Sequence, residues 1–404
     1  MTADQKKRCF RYAVWPLSLL VCGGLYFGAR TLSDAQFASA VESASEQEVQ
    51  YTEGLSCCNL LTAREQQLYR ILREAMAARE ETTARVAFVP TQEEFTAAFD
   101  AVLCDCPLYC DLVREECTLL AAEHSAQVSL SYLPDGEVRR QTLEETVRAL
   151  MPAVSGQSPA YAALLAHDTL TDVCTYPAAT GDEQVTGGST AYDALVTGEA
   201  NGLGYALAYT LLCRGAGVDC AVVRGDADAG DRRGTHAWNV LTLGGETGFT
   251  DVMWDDTAAM ADGGAEAASL PFHGYYFLSA EEMAADHTPI SDFGGSDETQ
   301  NYYERNGVCV DSAERLETLF VSLLTEARRS TSDTVEFWLD PQLNLTGYAL
   351  EEILSAAITA ANADETITAP PLRAVNRVYH TSASGGGITV QLFYEENEDL
   401  LGET

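Results

Sequence analysis

The sequence is short of positive charge. Its 404 residues include 24 lysines and arginines against 61 aspartates and glutamates. A chain with so negative a surface repels nucleic-acid phosphates and anionic lipid headgroups, so we do not expect nucleic acid as a partner. The acidic excess indicates either cationic partners or simply high solubility, and solubility is the simpler explanation.

Internal repeats and low-complexity arrays are also lacking. The composition is 46% hydrophobic and 21% charged, which is enough apolar material for a sizeable core, and the length favours two or three domains. The patterns along the chain predict these divisions: an anchor or signal segment at 1–30, a polar stalk at 31–60, a mainly helical domain at 61–139, a catalytic-type domain at 140–310 and an α/β segment at 311–404.

The first 30 residues contain a long apolar stretch without charge. A basic cluster, KKRCFR, precedes Tyr12–Ala29, which carries no charge and as a helix would extend about 27 Å. A basic flank before such a stretch keeps the N-terminus inside and places the rest of the chain outside the membrane. A cleaved signal peptide remains an alternative, since small residues suited to cleavage follow at 33–35 and 38–40.

The cysteines do not form the paired CxxC units of a zinc knuckle. Of 12 cysteines, ten lie beyond the N-terminal segment. Four of them cluster as Cys104, Cys106, Cys110 and Cys117. This spacing is compatible with disulfides outside the cytosol, with packing of small apolar side chains on a helix, or with a metal site.

Hydrophobic periodicity predicts mixed helix and strand. Helices are expected at 62–80, 92–102, 142–154, 158–176 and 203–216, and a capping box of Thr142 and Glu145 is expected to start the third. Strands are expected at 127–134 and in the last hundred residues, where helix, strand, helix and strand alternate at 312–329, 334–339, 347–362 and 386–396.

Three blocks combine residues that suit nucleophilic catalysis. They are GEANGLGYALAYTLLCRGAGVDC at 198–220, GTHAWNVLTL at 234–243 and GFTDVMWDD at 248–256. A two-residue turn at 244–245 would pair residue 243 with 246 and residue 236 with 253, which brings His236 near Asp251. A carboxylate that orients a histidine base is the arrangement that activates a nucleophile, and a helix N-terminus favours a thiolate.

These blocks resemble the transglutaminase-like superfamily, particularly membrane-anchored bacterial surface members. The superfamily pattern is Gly-x-Cys-x-Gly-Tyr-Ala, then His-Ala-Trp-Asn, then Asp-Val-Thr-Trp-Asp-Asp. The resemblance is close over about residues 140–310 and loose elsewhere. It implies an α+β fold with a papain-like core, in which one long helix packs on an antiparallel sheet that carries the histidine and the aspartate.

The resemblance also implies the role of each residue and one departure. His236 and Asp251 match the catalytic His and Asp, whereas Gly202 falls where the family has its nucleophilic Cys. Glycine has no side chain with which to attack an acyl carbon. Cys213 lies on the same helix about 16 Å away, and rescue by Cys174, Cys220 or Cys309 is an open alternative.

The aromatic residues near the motif have two interpretations. Trp238 and Tyr205 are candidate substrate contacts, although Trp238 and Trp254 are more often core residues in such a pattern. We expect no cofactor and no metal. The predicted function is binding of protein or peptidoglycan-linked peptide at the cell surface by a degenerate domain. The alternatives are an active acyl transferase or peptidase that uses another thiol, and a purely structural domain.

Overall fold

The computed structural model describes residues 54–177, 188–229, 232–256, 270–296, 299–340, 343, 347–382 and 385–395. They form two compact units: residues 61–103 with 111–134, and residues 54–60 and 104–110 with the chain from 135 onward. The predicted membrane segment at 1–30 and most of the predicted stalk lie outside the described residues. Within the described part of the chain, no helix combines the length and the apolar character that a bilayer crossing needs.

The first unit contains helix α1 (Ala63–Ala78), most of α2 (Gln92–Asp105) and a hairpin of β1 (Thr118–Ala121) with β2 (Ala126–Ser129). Helix α1 starts with a capping box, because the side chain of Thr62 accepts from Glu65 N and Glu65 accepts from Thr62 N. Apolar residues at helical spacing, such as Leu68 and Leu72, are buried. The predicted helical character of this region is therefore present.

The second unit begins with helices α3 (Gly136–Val154), α4 (Pro159–Val173) and α5 (Gly202–Gly215). Helix α5 packs against an antiparallel sheet of order β5-β4-β3-β6, made of β3 (Asp219–Ala229), β4 (Arg232–Leu243), β5 (Glu246–Thr250) and β6 (His287–Pro289). Asn239 of the sheet is bonded to helix α5, since its Nδ2 donates to Ala206 O and Thr210 Oγ1, each at 2.9 Å. The predicted architecture of a long helix on an antiparallel sheet is confirmed.

Two short helices, α6 (Val252–Asp255) and α7 (Ala280–Met283), lie between β5 and β6 in the chain, and a third, α8 (Tyr302–Arg305), lies between β6 and the second sheet. The second sheet has the order β7-β8-β10-β9, with β7 (Cys309–Val310), β8 (Thr334–Leu339), β9 (Leu372–Ser382) and β10 (Gly385–Tyr394). Helices α9 (Ala313–Ser330) and α10 (Gly347–Asn362) accompany it, and Phe320, Phe337 and Leu354 lie in the shared core. Strand β9 was not predicted.

Two local predictions were wrong. Thr142 does not cap a helix, because α3 already begins at Gly136 and the Thr142 hydroxyl donates to Val138 O within the helix. The predicted pairing of Leu243 with Glu246 is present, but the ladder ends at Asn239 opposite Thr250. Beyond that point the chain turns into α6, so residue 236 has no partner at 253.

The described cysteines are mostly buried. Of the ten, eight are buried, and Cys106 and Cys309 are partly exposed. Among the described residues, the side-chain groups with metal-ligand spacing contain no cysteine. Of the three interpretations of the cluster, the burial of Cys104, Cys110 and Cys117 supports packing of small apolar side chains.

Candidate active site

The first component of the site is the start of helix α5. Asn201 is the N-cap, and its Oδ1 accepts from Leu203 N at 3.1 Å and Gly204 N at 3.2 Å. Gly202 follows as the first helical residue and is buried. The helix N-terminus predicted to present a nucleophile is therefore present, but a neutral amide side chain satisfies its exposed N–H groups.

The second component is a histidine–aspartate pair. His236 Nε2 donates to Asp251 Oδ2 at 2.5 Å, and Trp254 N donates to Asp251 Oδ1 at 3.2 Å. Strand β4 carries His236, while Asp251 follows β5 as the N-cap of α6. The predicted contact is present, although a helix cap rather than an extended hairpin positions the carboxylate.

The His236 ring lies directly beside Gly202. A Cβ atom built on Gly202 would be 2.4 Å from both Nδ1 and Cε1 of that ring. Carbon atoms in ordinary contact are about 3.5–4.0 Å apart, so the ring occupies space that a side chain at position 202 would need. His236 Nδ1 faces position 202, and it would carry the lone pair in a neutral ring that donates Nε2–H to Asp251.

A second histidine, which the sequence analysis did not single out, shares the aspartate. His287 Nε2 donates to Asp251 Oδ2 at 3.1 Å, and its Nδ1 donates to Asp286 Oδ1 at 2.6 Å. Tyr275 in turn donates its hydroxyl to Asp286 Oδ2 at 2.8 Å. The only signal for this residue in the sequence is the adjacent pair Asp286-His287.

The charges of this group follow from its burial and its contacts. Burial alone would raise the pKa of Asp251, but His236 and His287 outweigh it and hold that pKa well below its ordinary value. Burial would lower the pKa of His287, but Asp251 and Asp286 outweigh it and raise that pKa. Asp251 is therefore a carboxylate, and the site can hold and orient an imidazole base beside position 202.

The comparison with known protein families agrees with this geometry. Residues 148–252 match the model of the transglutaminase-like superfamily, and the match contains Gly202, His236 and Asp251. This region is a transglutaminase-like domain. No curated protein matches the chain.

Two solved structures are similar to parts of the chain. A candidate cysteine protease from Cytophaga hutchinsonii is 13% identical over 34% of this chain, with a TM-score of 0.23. A candidate protease from Parabacteroides distasonis is 9% identical over 70% of this chain, also with a TM-score of 0.23. The matched regions span 61% and 62% of those two chains.

The predicted substrate contacts of the transglutaminase-like domain are core residues. Trp238 and Tyr205 are both almost completely buried. The Tyr205 hydroxyl donates to Asp256 Oδ2 at 2.6 Å, and the Trp238 ring stacks near His236. Neither side chain offers surface to a substrate, so this prediction was wrong for both residues. The indole N–H of Trp238 is buried and has no hydrogen-bond partner among the described residues.

Three of the cysteines considered as replacements, Cys174, Cys213 and Cys309, have raised pKa values and are held as neutral thiols. Burial raises the pKa of Cys174 to about 12 and that of Cys309 to about 11. Burial and the neighbouring Cys220 raise the pKa of Cys213 well above its ordinary value. Within the described residues, no cysteine forms a hydrogen bond with His236. The thiolate that acyl transfer needs is therefore not supplied by these residues.

Two groups of described residues have the spacing of metal ligands. They are His236 with Asp251 and His287, and His167 with Asp168 and His273. The Trp238 and Trp254 rings pack against the histidines of the first group. In the second group, burial alone would lower the pKa of His273, but Glu336 and Asp168 outweigh it and raise it to about 10.

Proposed function

We propose that this chain is a membrane-anchored, extracytoplasmic transglutaminase-like protein that has lost the family nucleophile and acts by binding. The observation that carries the proposal is Gly202, with the His236 ring 2.4 Å from where its Cβ would be. A residue with no side chain cannot hold a covalent acyl intermediate. Loss of the nucleophile leaves only the rate that binding and electrostatics supply.

The neighbours of Gly202 support the same proposal. A thiolate at this helix end would be stabilised by the N–H groups of the first turn. Those at Leu203 and Gly204 instead bind the Asn201 side chain. The His236 ring thus occupies the space of a side chain at position 202, and the Asn201 amide caps the start of the helix.

The expected ligand is a protein or a peptidoglycan-linked peptide that enters the former substrate cleft. The excess of acidic residues favours peptides that carry free amines over anionic polymers. Attachment to the membrane and an extracytoplasmic location are proposed from the N-terminal segment alone. The burial of eight described cysteines is compatible with an oxidising exterior, because buried thiols react slowly.

An active cysteine-type acyl transferase or peptidase is the alternative, and the retained His236–Asp251 pair is the observation that favours it. Such an enzyme would need a thiol from elsewhere in the chain. The measurement that separates the two compares the full-length chain with Gly202→Cys and with Gly202→Ser. Each protein is treated with iodoacetamide under native conditions and assayed for amine incorporation and peptide hydrolysis.

We expect no turnover by the native chain and one additional reactive thiol in Gly202→Cys. Gly202→Ser adds a side chain of similar size without sulfur, so it controls for displacement of the His236 ring. Turnover by the native chain that iodoacetamide abolishes would disprove the loss of catalysis.

Binding is tested separately with peptidoglycan fragments and with amine-containing peptides, by sedimentation or calorimetry. His236→Ala should weaken binding, because His236 is the partly exposed residue at the centre of the site, 10% of its side chain being accessible. His124→Ala is the matched control, since that side chain is 74% exposed and lies in the first unit. No binding by the native chain, or equal binding by both variants, would contradict a ligand in this cleft.

A further inference from the structure

A second cluster of histidines and carboxylates lies apart from Gly202 and has no part in the acyl-transfer geometry. His167 and Asp168 are adjacent residues of helix α4, and His273 lies in the segment between α6 and α7. All three belong to the second unit. We propose that His167, Asp168 and His273 bind a divalent transition-metal ion, with Zn²⁺ as the preferred ion, at a site distinct from the transglutaminase-like centre.

The positions of the ligand atoms carry the proposal. Asp168 Oδ1 lies 3.0 Å from His167 Nδ1 and 3.0 Å from His273 Nε2, and all three atoms lie within 4.8 Å of one another. A tetrahedral zinc ion bound at about 2.0–2.1 Å separates its ligand atoms by roughly 3.3 Å. Each nitrogen therefore needs to move only a few tenths of an ångström away from the Asp168 oxygen to reach the separation that the ion requires.

The outer nitrogens of both rings are held by other carboxylates. His167 Nε2 lies 3.1 Å from Asp255 Oδ2, and His273 Nδ1 lies 2.6 Å from Glu336 Oε2. Histidines that ligate metals usually donate their other ring N–H to a carboxylate, which fixes the tautomer and the ring orientation. Here this leaves His167 Nδ1 and His273 Nε2 directed at the same oxygen atom.

The outer carboxylates are themselves fixed. Tyr275 N donates to Asp255 Oδ1 at 2.8 Å, and Glu336 Oε1 accepts from His273 N at 3.0 Å and from the Tyr303 hydroxyl. Two layers of hydrogen bonds therefore hold the rings in place. Such support is what a preorganised metal site requires.

The donor set and its access suit zinc with an open coordination position. Both histidines are buried, whereas 41% of the Asp168 side chain is exposed, so solvent reaches the oxygen side of the group. Two imidazoles and one carboxylate form the ligand set of zinc sites that retain a water molecule. Glu336 lies on β8, so an ion here would also connect α4 with the second sheet through His273.

The structure also permits an ion-free alternative. In that case both inner nitrogens carry protons and share Asp168 Oδ1, which would place two imidazolium rings with centroids 5.0 Å apart in a buried site. One Zn²⁺ ion replaces two protons and leaves the total charge of the group unchanged. Metal binding should therefore release protons, up to two per ion.

The test uses the full-length chain, stripped with a chelator and titrated with Zn²⁺ alone by equilibrium dialysis and calorimetry. We expect one high-affinity ion per chain and proton release in buffers of different ionisation enthalpy. His273→Gln and Asp168→Asn should each weaken binding by more than about 100-fold, and Glu336→Gln should weaken it by about 10–100-fold. His287→Gln is the matched control, because it makes the same substitution in the other histidine–carboxylate group, and it should leave the affinity unchanged.

Asp168→Asn alters a half-exposed side chain and keeps the test valid if His273→Gln fails to fold. With Co²⁺ in place of Zn²⁺, visible d–d absorption without a near-ultraviolet thiolate band would support histidine and carboxylate ligands. The proposal is overturned by the absence of tight binding, by affinity that survives both ligand variants, by loss of binding in His287→Gln, or by a thiolate band. The last result would assign the ion to cysteine ligands.

Discussion

Position 202 and the His236 ring compete for the same space, and this predicts a specific pattern of stability changes. A Cβ at residue 202 would be 2.4 Å from His236 Nδ1 and Cε1, about 1 Å closer than ordinary contact. The ring cannot withdraw freely, because His236 Nε2 is held at 2.5 Å from Asp251. We therefore expect Gly202→Ala to destabilise the second unit by about 1–3 kcal/mol, the usual cost of overpacking.

The same substitution should behave differently once the ring is removed. In a His236→Ala background the clash is absent, and replacing a helical glycine by alanine is neutral or stabilising by up to about 1 kcal/mol. The double-mutant cycle should then give a coupling free energy of about 2 kcal/mol between the two positions. Urea denaturation followed by tryptophan fluorescence suits this measurement, since Trp238 and Trp254 both lie beside His236.

Gly215→Ala provides the control at the other end of the same helix. A Cβ there would approach only the flexible end of Met151, with the sulfur at 2.8 Å. Gly215→Ala should change the free energy of unfolding by the same amount with and without His236. Equal effects of Gly202→Ala in the two backgrounds would refute the conclusion that the ring occupies the space of the missing side chain.

Three further predictions concern other parts of the second unit. Asp251 and Asp286 raise the pKa of His287, so its contribution to stability is complete below about pH 6.5 and is lost as pH rises through the raised folded-state pKa. Unfolding measured as a function of pH should show a smaller loss on the alkaline side for His287→Gln. Asn201→Ala should cost about 1 kcal/mol in urea denaturation by removing the cap of α5. Arg328→Met should destabilise the second sheet by about 3 kcal/mol in the same assay, because the buried guanidinium donates to three backbone carbonyls.

The sequence predicted the main elements of the transglutaminase-like domain because the residues that determine them are close together in the chain. The contiguous blocks around Gly202, His236 and Asp251 determine a helix start, a strand and a turn, and periodicity located α10 at the bounds that the structure has. The start of α3 was misplaced because Thr142 and Glu145 satisfy the spacing of a capping box inside a longer helix. A spacing rule cannot tell an N-cap from an interior position.

What sequence reasoning missed was assembled by tertiary contacts. His287 reaches Asp251 only because β6 pairs with β3 on the far side of the sheet. The second cluster joins residues of α4 with His273 and with Glu336, which are 105 and 168 positions beyond Asp168. No motif spans such distances, so only the folded chain brings these groups together.

The retained His236–Asp251 pair, which favours the catalytic alternative, also has a structural role. Asp251 caps α6 through Trp254 N and also accepts from His287, which continues through Asp286 to Tyr275. Replacing Asp251 would remove one of the two carboxylate partners of buried His287 and the side-chain acceptor at the start of α6, at a cost of several kcal/mol. Such a network is maintained for stability whether or not a nucleophile is present. Under the proposed function, position 202 is where the family nucleophile would act, and Gly202 has no side chain to provide one, so evidence on catalysis has to come from that position.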